Sequence, residues 1–160
     1  MSFKPCILIP IYNHGYSISA TIDGLKISGL PIIIIDDGSD EATKRSIAKV
    51  VTKYPDLQVL VHEKNKGKGA ALKTGFRKAL HEGFTHGLQV DADGQHNLND
   101  VPSFLAKGKE SPHGLICGEP IYDTSIPKSR LYGRRITNFW IAIETLSLKM
   151  PDAMCGYRLY

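Results

Sequence analysis

An α/β domain with a mostly parallel sheet is the fold that this sequence predicts. Three observations predict it. Short apolar runs alternate with segments of helical period. The run Pro31 to Ile35 is apolar throughout, as a parallel strand buried on both faces would be. Polar and acidic residues follow one strand after another, which places them at one edge of such a sheet.

The elements follow in order. Cys6 to Ile11 is an apolar run that ends in a polar turn. Ser17 to Ile27 reads as a helix, with Ile18, Ile22 and Leu25 on one face. Pro31 to Ile35 is the second strand, and Asp37-Gly38-Ser39-Asp40 is a turn in which Ser39 or Asp40 can cap the next helix. Ile47, Val50 and Val51 share a face of that helix. Leu57 to Val61 is the third strand. A Gly/Lys turn at Asn65 to Gly69 leads into a helix that runs to about Glu82. Gly87 to Val90 is the fourth strand, Asn97 to Lys107 a short helix, and Leu115 to Gly118 a fifth strand. Tyr132 to Leu148 reads as a helix with Ile136, Phe139, Trp140, Ile143 and Leu146 as its apolar stripe. No repeat or linker interrupts the chain, so residues 1–160 are expected to form one domain. The last residues, Gly156 to Tyr160, read as a strand or loop still in progress, so the chain is expected to be truncated at its C-terminus.

Composition narrows the function. The 160 residues are 42% hydrophobic and 22% charged, which excludes wholesale disorder. The net charge of +4 is mildly basic without a dense Lys/Arg block, so nucleic acid is not indicated. The charge suits phosphates or an anionic membrane surface. Three widely spaced cysteines form no CxxC pair; Cys6 and Cys117 read as small core residues, and a reducing compartment is expected. The N-terminus offers no signal peptide, and no apolar run approaches the roughly 20 residues of a spanning helix.

The residues after the strands carry the chemistry. Asp91-Ala92-Asp93 is the sharpest element. Alternate residues of an extended chain point to one side, so two carboxylates at this spacing can converge on a hard cation such as Mg²⁺ or Mn²⁺. Gln95 continues the alternation. The competing reading is a helix cap plus a solvated carboxylate. Asp36-Asp37 suits a base or ribose hydroxyl and equally suits a turn. Asn65-Lys66-Gly67-Lys68-Gly69 at a helix start suits an anion, although in isolation it reads as a solvated basic turn. It is not a Walker loop, and no GxGxxG follows the first strand, which weakens a dinucleotide-binding reading. Lys128, Arg130, Arg134, Arg135 and Arg158 suit phosphates at a membrane surface, or a solvated helix face.

Together these residues resemble the inverting family 2 glycosyltransferases of GT-A fold. The matching pieces are Ile9-Pro10-Ile11-Tyr12-Asn13, Ile35-Asp36-Asp37-Gly38-Ser39, Asn65 to Ala71, Asp91-Ala92-Asp93-Gly94-Gln95-His96 and Asp152 to Arg158. The Asp-Ala-Asp-x-Gln-His form is most similar to the polyprenyl- and dolichyl-phosphate sugar synthases. The chain departs from them at Gly118-Glu119-Pro120, where related lipid-phosphate enzymes often carry an arginine.

The resemblance implies a GT-A, Rossmann-like sheet flanked by helices, a nucleoside-diphosphate sugar donor and a Mg²⁺ or Mn²⁺ cofactor. Pro10, Tyr12 and Asn13 would line the nucleoside pocket, with Asp37 on the base. Lys68 and Gly69 would lie near the donor. Asp91 would contact the nucleotide, the ribose or the metal, and Asp93 with Gln95 would ligate the metal. Arg134, Arg135 and Arg158 would meet the acceptor or the diphosphate. The acceptor would be a lipid phosphate or a lipid-linked hydroxyl at a membrane surface; a hydroxyl needs a base, for which Asp152 is the candidate. The expected location is cytoplasmic, peripheral at the cytoplasmic face of a membrane. Two alternatives stay open. One is a non-catalytic nucleotide-sugar-binding module. The other is a nucleotidyltransferase, disfavoured because Tyr12-Asn13-His14 stands where such enzymes place a Gly-rich basic loop.

Overall fold

The computed structural model describes residues 2–119 and 155–160. Five strands and four helices alternate through the first part: β1 Pro5–Ile11, α1 Ile18–Lys26, β2 Ile32–Asp36, α2 Glu41–Lys53, β3 Gln58–Val61, α3 Lys68–His81, β4 His86–Gln89, α4 Val101–Glu110 and β5 Ile116–Cys117. The strand β6, Arg158–Leu159, comes last. The sheet order is β3-β2-β1-β4-β6-β5. β1 pairs in parallel with β2 and β4, and β2 with β3. β6 runs antiparallel between β4 and β5, which makes the sheet mixed.

The two faces of the sheet follow from the strand period of two. Ile7, Ile9 and Ile11 of β1 join Ile32 and Ile34 of β2 on one face, against Ile18, Ile22 and Leu25 of α1 and Ile47 and Val50 of α2. Val101 and Phe104 of α4 belong to the same cluster. Cys6, Leu8, Ile33 and Ile35 point the other way, onto Ala71 and Ala79 of α3. Both faces are covered, so β1 and β2 read as unbroken apolar runs. Cys6 is fully buried among them, and burial pushes its thiol up to about 12. It is a core residue rather than a reactive one.

Three sequence expectations need revision. The predicted helix from Asn97 is a 3₁₀ turn at Leu98–Asp100 followed by α4, because Pro102 is accommodated in a first turn, where its missing N–H costs nothing. The fifth strand shrinks to Ile116–Cys117, because only these residues pair with β6. Cys117 is only partly buried and lines a cleft, not the core. Of the two caps offered for α2, the structure uses Asp40, whose Oδ1 accepts from Thr43 N at 2.8 Å. The predicted helix 132–148, with Arg134 and Arg135, and Asp152 lie outside the described residues. Among the described residues no helix is long and apolar enough to cross a membrane.

Candidate active site

The carboxyl ends of β1, β2 and β4 open into one cavity of about 360 Å³. Pro10, Tyr12 and His14 line it after β1, Asp37 after β2, Asn65 and Lys68 before and at the start of α3, and Asp91 and Asp93 after β4. Parallel strands put these residues together: adjacent strands in register release their chains at the same edge.

Hydrogen bonds tie the strand exits to each other. Asn13, at φ +56°, donates its N–H to Ser39 Oγ at 3.1 Å, and its Oδ1 accepts from Asp40 N at 2.8 Å. Asp36 is buried, and its Oδ1 accepts from Ser39 N at 2.9 Å. Gly38, at φ +75°, passes so close to Lys64 and Asn65 that a Cβ would sit 2.7 Å from Asn65 N. The turn after β2 thereby rests on the loop before α3.

Asp37 is the hub of that contact. It is only 2% exposed. Its Oδ1 accepts from Lys66 N at 3.0 Å and its Oδ2 from Gly67 N at 2.7 Å. His62 Nδ1 lies 2.6 Å from Oδ1. A carboxylate only accepts, so Nδ1 carries the proton, and the Nε2 of a neutral ring accepts from Thr74 Oγ1 at 3.0 Å. Burial alone would raise the Asp37 carboxyl. The His62 bond and the two backbone N–H groups outweigh it and hold the carboxyl below its usual range. Both oxygens are thus engaged in shaping the Lys66-Gly67 turn while the residue lines the cavity.

After β4 the chain turns at Ala92 and Asp93 instead of staying extended. The two-residue alternation therefore does not describe this segment. What orients it is Ala92, 3% exposed, whose carbonyl accepts from Ser17 Oγ of the segment before α1. Asp91 and Asp93 still line the same cavity. Lys68 Nζ lies 2.6 Å from Asp91 Oδ1 and 2.7 Å from Oδ2. His96 Nε2 lies 3.6 Å from Asp91 Oδ2 and is buried with no hydrogen-bond partner. Burial opposes ionisation of Asp91, but the His96 ring and the Lys68 ammonium outweigh it and hold the carboxyl well below the usual carboxylate range. Asp93 Oδ1 accepts from Gln95 N at 3.0 Å.

The chain leading into β6 closes this corner. A Cβ on Gly156 would sit 2.8 Å from both Asp91 Cγ and Lys68 Nζ, closer than real side-chain contacts come. Tyr157 stacks at 4.7 Å on His96 and at 4.4 Å on Phe104. His62, His96 and Gly156 are thus site residues whose roles sequence reasoning did not assign. Gly156 and His96 lie inside motifs that the family resemblance quotes; His62 has no local signal.

Some expected residues fall elsewhere. Gln95 lines a neighbouring cleft of about 490 Å³, together with His96, Cys117, Gly118, Glu119, Cys155 and Tyr157. Gly69 faces a shallow groove along α3. Arg158 sits in β6, in register with Gln89 and Cys117.

The family model described as glycosyl transferase family 2 matches residues 6–160. The chain belongs to glycosyltransferase family 2. Among its family 2 relatives, the dolichyl-phosphate beta-glucosyltransferase of Dictyostelium discoideum is 30% identical over 96% of this chain and 53% of that enzyme. The undecaprenyl-phosphate mannosyltransferase of Micrococcus luteus is 25% identical over 96% of this chain and 64% of that enzyme. The chain thus spans between about half and two thirds of the length of these relatives. Solved structures share the GT-A fold. The mannosyltransferase PcManGT from Pyrobaculum calidifontis, in complex with GDP-Man and Mn²⁺, matches with a TM-score of 0.59 at 21% identity, over 73% of this chain and 36% of that one. S. aureus TarS 1-349 in complex with UDP matches with a TM-score of 0.56 at 21% identity, over 78% of this chain and 38% of that one.

A divalent cation fits this donor set only in company. Among the described residues no three His, Cys, Asp or Glu side chains could hold one by themselves. Two carboxylates on one cavity offer hard oxygen ligands that substrate phosphates can complete.

Proposed function

We propose that this protein moves a sugar from a nucleoside-diphosphate sugar to an acceptor, with inversion at the anomeric carbon. One observation carries the proposal: Tyr12, Asp37, Lys68, Asp91 and Asp93 line a single cavity at the carboxyl edge of the sheet. Tyr12, 45% exposed, presents a ring on which a base can stack. Pro10 and Asn13 shape the nucleoside end, and Asp37 holds the turn that faces it. The first-turn N–H groups of α3 and the Lys68 ammonium neutralise charge on the leaving diphosphate. Asp91 and Asp93, with Gln95 adjoining through its bond to Asp93, are the residues that would hold Mg²⁺ or Mn²⁺. When bound, the cation supplies Lewis-acid neutralisation of the diphosphate oxygens.

The acceptor oxygen attacks from the face opposite the departing diphosphate. The names of the dolichyl- and undecaprenyl-phosphate relatives support a lipid phosphate as that acceptor. A phosphate is already ionised and needs no base; with a lipid-linked hydroxyl, Asp152 would take the proton. Arg134, Arg135 and Arg158 are assigned to the acceptor or diphosphate. The protein would work on the cytoplasmic face of a membrane, as a peripheral enzyme.

The test is a thermal-shift panel on the full-length protein with UDP-, GDP-, CDP- and dTDP-sugars, with and without Mn²⁺. A ligand at a hundred times its Kd stabilises the fold by about 2.7 kcal/mol. One nucleotide sugar should raise Tm in a Mn²⁺-dependent way, and Asp93→Ala should abolish the Mn²⁺-dependent part. A full Mn²⁺-dependent shift in Asp93→Ala refutes the ligand assignment. Binding without transfer to polyprenyl phosphate or to a lipid hydroxyl refutes the enzymatic reading.

A further inference from the structure

Lys68 is the first residue of α3, following Gly67 at φ +89°, and its side chain is half-exposed. Its ammonium lies within hydrogen-bond distance of both oxygens of Asp91. A divalent cation would bind Asp91 through one or both of these oxygens. Like charges repel, so a cation arriving there weakens the hold of the ammonium.

We propose that Lys68 is a built-in counter-ion that occupies Asp91 when the cation site is empty, and that it moves onto the donor diphosphate when cation and donor bind together. The inference rests on the donor-site reading above. Lys68 lines the cavity, so its alternative partner lies within the same space. The long, half-exposed stem leaves the ammonium free to swing while α3 stays fixed. Asp93 has no ammonium on it: its one hydrogen bond among the described residues is to Gln95 N. The exchange therefore acts through Asp91.

The consequence is a coupling between two ligands. A cation alone must displace Lys68 into solvent with nothing to receive it. A nucleoside diphosphate alone must draw Lys68 from Asp91 and leave that carboxylate with only the His96 ring, 3.6 Å away, beside it. Arriving together, each gives the other what it lacks. Coupling of this kind is reciprocal, so the cation must improve nucleotide binding by the factor by which the nucleotide improves cation binding.

The experiment measures Mn²⁺ binding to the full-length protein by the paramagnetic signal of free Mn²⁺, alone and with UDP, GDP, CDP or dTDP, in wild type, Lys68→Met and Lys68→Arg. Lys68→Met should bind Mn²⁺ alone about tenfold more tightly than wild type and show a smaller gain from nucleotide. Lys68→Arg keeps a cation over Asp91 and should bind Mn²⁺ alone as weakly as wild type. If Lys68→Met binds Mn²⁺ alone no better than wild type, while wild type takes up Mn²⁺ together with a nucleotide, the exchange is wrong and the donor site stands. If wild type takes up Mn²⁺ with none of the four nucleotides, the donor-site reading falls and the exchange falls with it.

Discussion

Replacing Asp37 by Asn tests whether one carboxylate holds the site's turn in place. The change keeps the size of the side chain, so no cavity term enters. Three donors converge on the carboxylate: His62 Nδ1 at 2.6 Å, Lys66 N at 3.0 Å and Gly67 N at 2.7 Å. An amide offers one acceptor oxygen and turns an NH₂ toward the remaining donors. With its oxygen toward His62 and Lys66, the amide turns its NH₂ on Gly67 N–H, which keeps only its second acceptor, Asn65 Oδ1 at 2.9 Å, and the surviving bonds lose their charge assistance. The loss is about 1–2 kcal/mol. Urea denaturation of wild type and Asp37→Asn reads the difference as a lower midpoint at constant m. Residue-resolved hydrogen exchange should show the amides of Lys66 and Gly67 losing protection more than those of β1. Nucleotide affinity should fall as well, since the turn lies beside the cavity. A loss under about 0.5 kcal/mol, with unchanged exchange at Lys66 and Gly67, refutes the role of Asp37 as hub.

Gly156→Ala is permitted by the backbone, since Gly156 is not among the positive-φ glycines, but its Cβ would press on Asp91 Cγ and Lys68 Nζ. It should lower nucleotide affinity in the presence of Mn²⁺ about tenfold and cost about 1–3 kcal/mol of stability; wild-type affinity by calorimetry would show that this corner has room to spare. Acid should destabilise the fold in a defined window. Asp37 and Asp91 have folded pKa values depressed below the ordinary value of 3.8, so each contributes stability that is present above that pH and is lost as pH falls through its folded value. Unfolding free energy should be level above about pH 5 and decline below about pH 4, less steeply in Asp37→Asn; an identical slope in that variant would remove Asp37 from the account.

Periodicity made the frame legible. The apolar residues of β1 and β2 alternate between two apolar faces, Ile7, Ile9 and Ile11 against Cys6 and Leu8 in β1, so a two-sided parallel sheet was readable from the chain. The Asp91-Ala92-Asp93 element was readable too, though for a reason that the turn at Ala92 replaces. What could not be read was pairing at a distance. His62 stands 25 positions from Asp37, and nothing local marks it as the partner. Asp40 caps α2 through Thr43 N, while Ser39 Oγ accepts from Asn13 N, a partner 26 positions away.

The sequence by itself determined which residue types stand at the strand ends, because local patterns of apolarity and turn chemistry act over a few residues. Tertiary structure alone decided that Lys68 covers Asp91, that Gly156 seals both, and that β6 enters the sheet antiparallel between β4 and β5. Those outcomes depend on which strands lie side by side. Contacts between residues 23 or 65 positions apart leave no periodic trace along the chain, and only the closed sheet brings them within bonding distance.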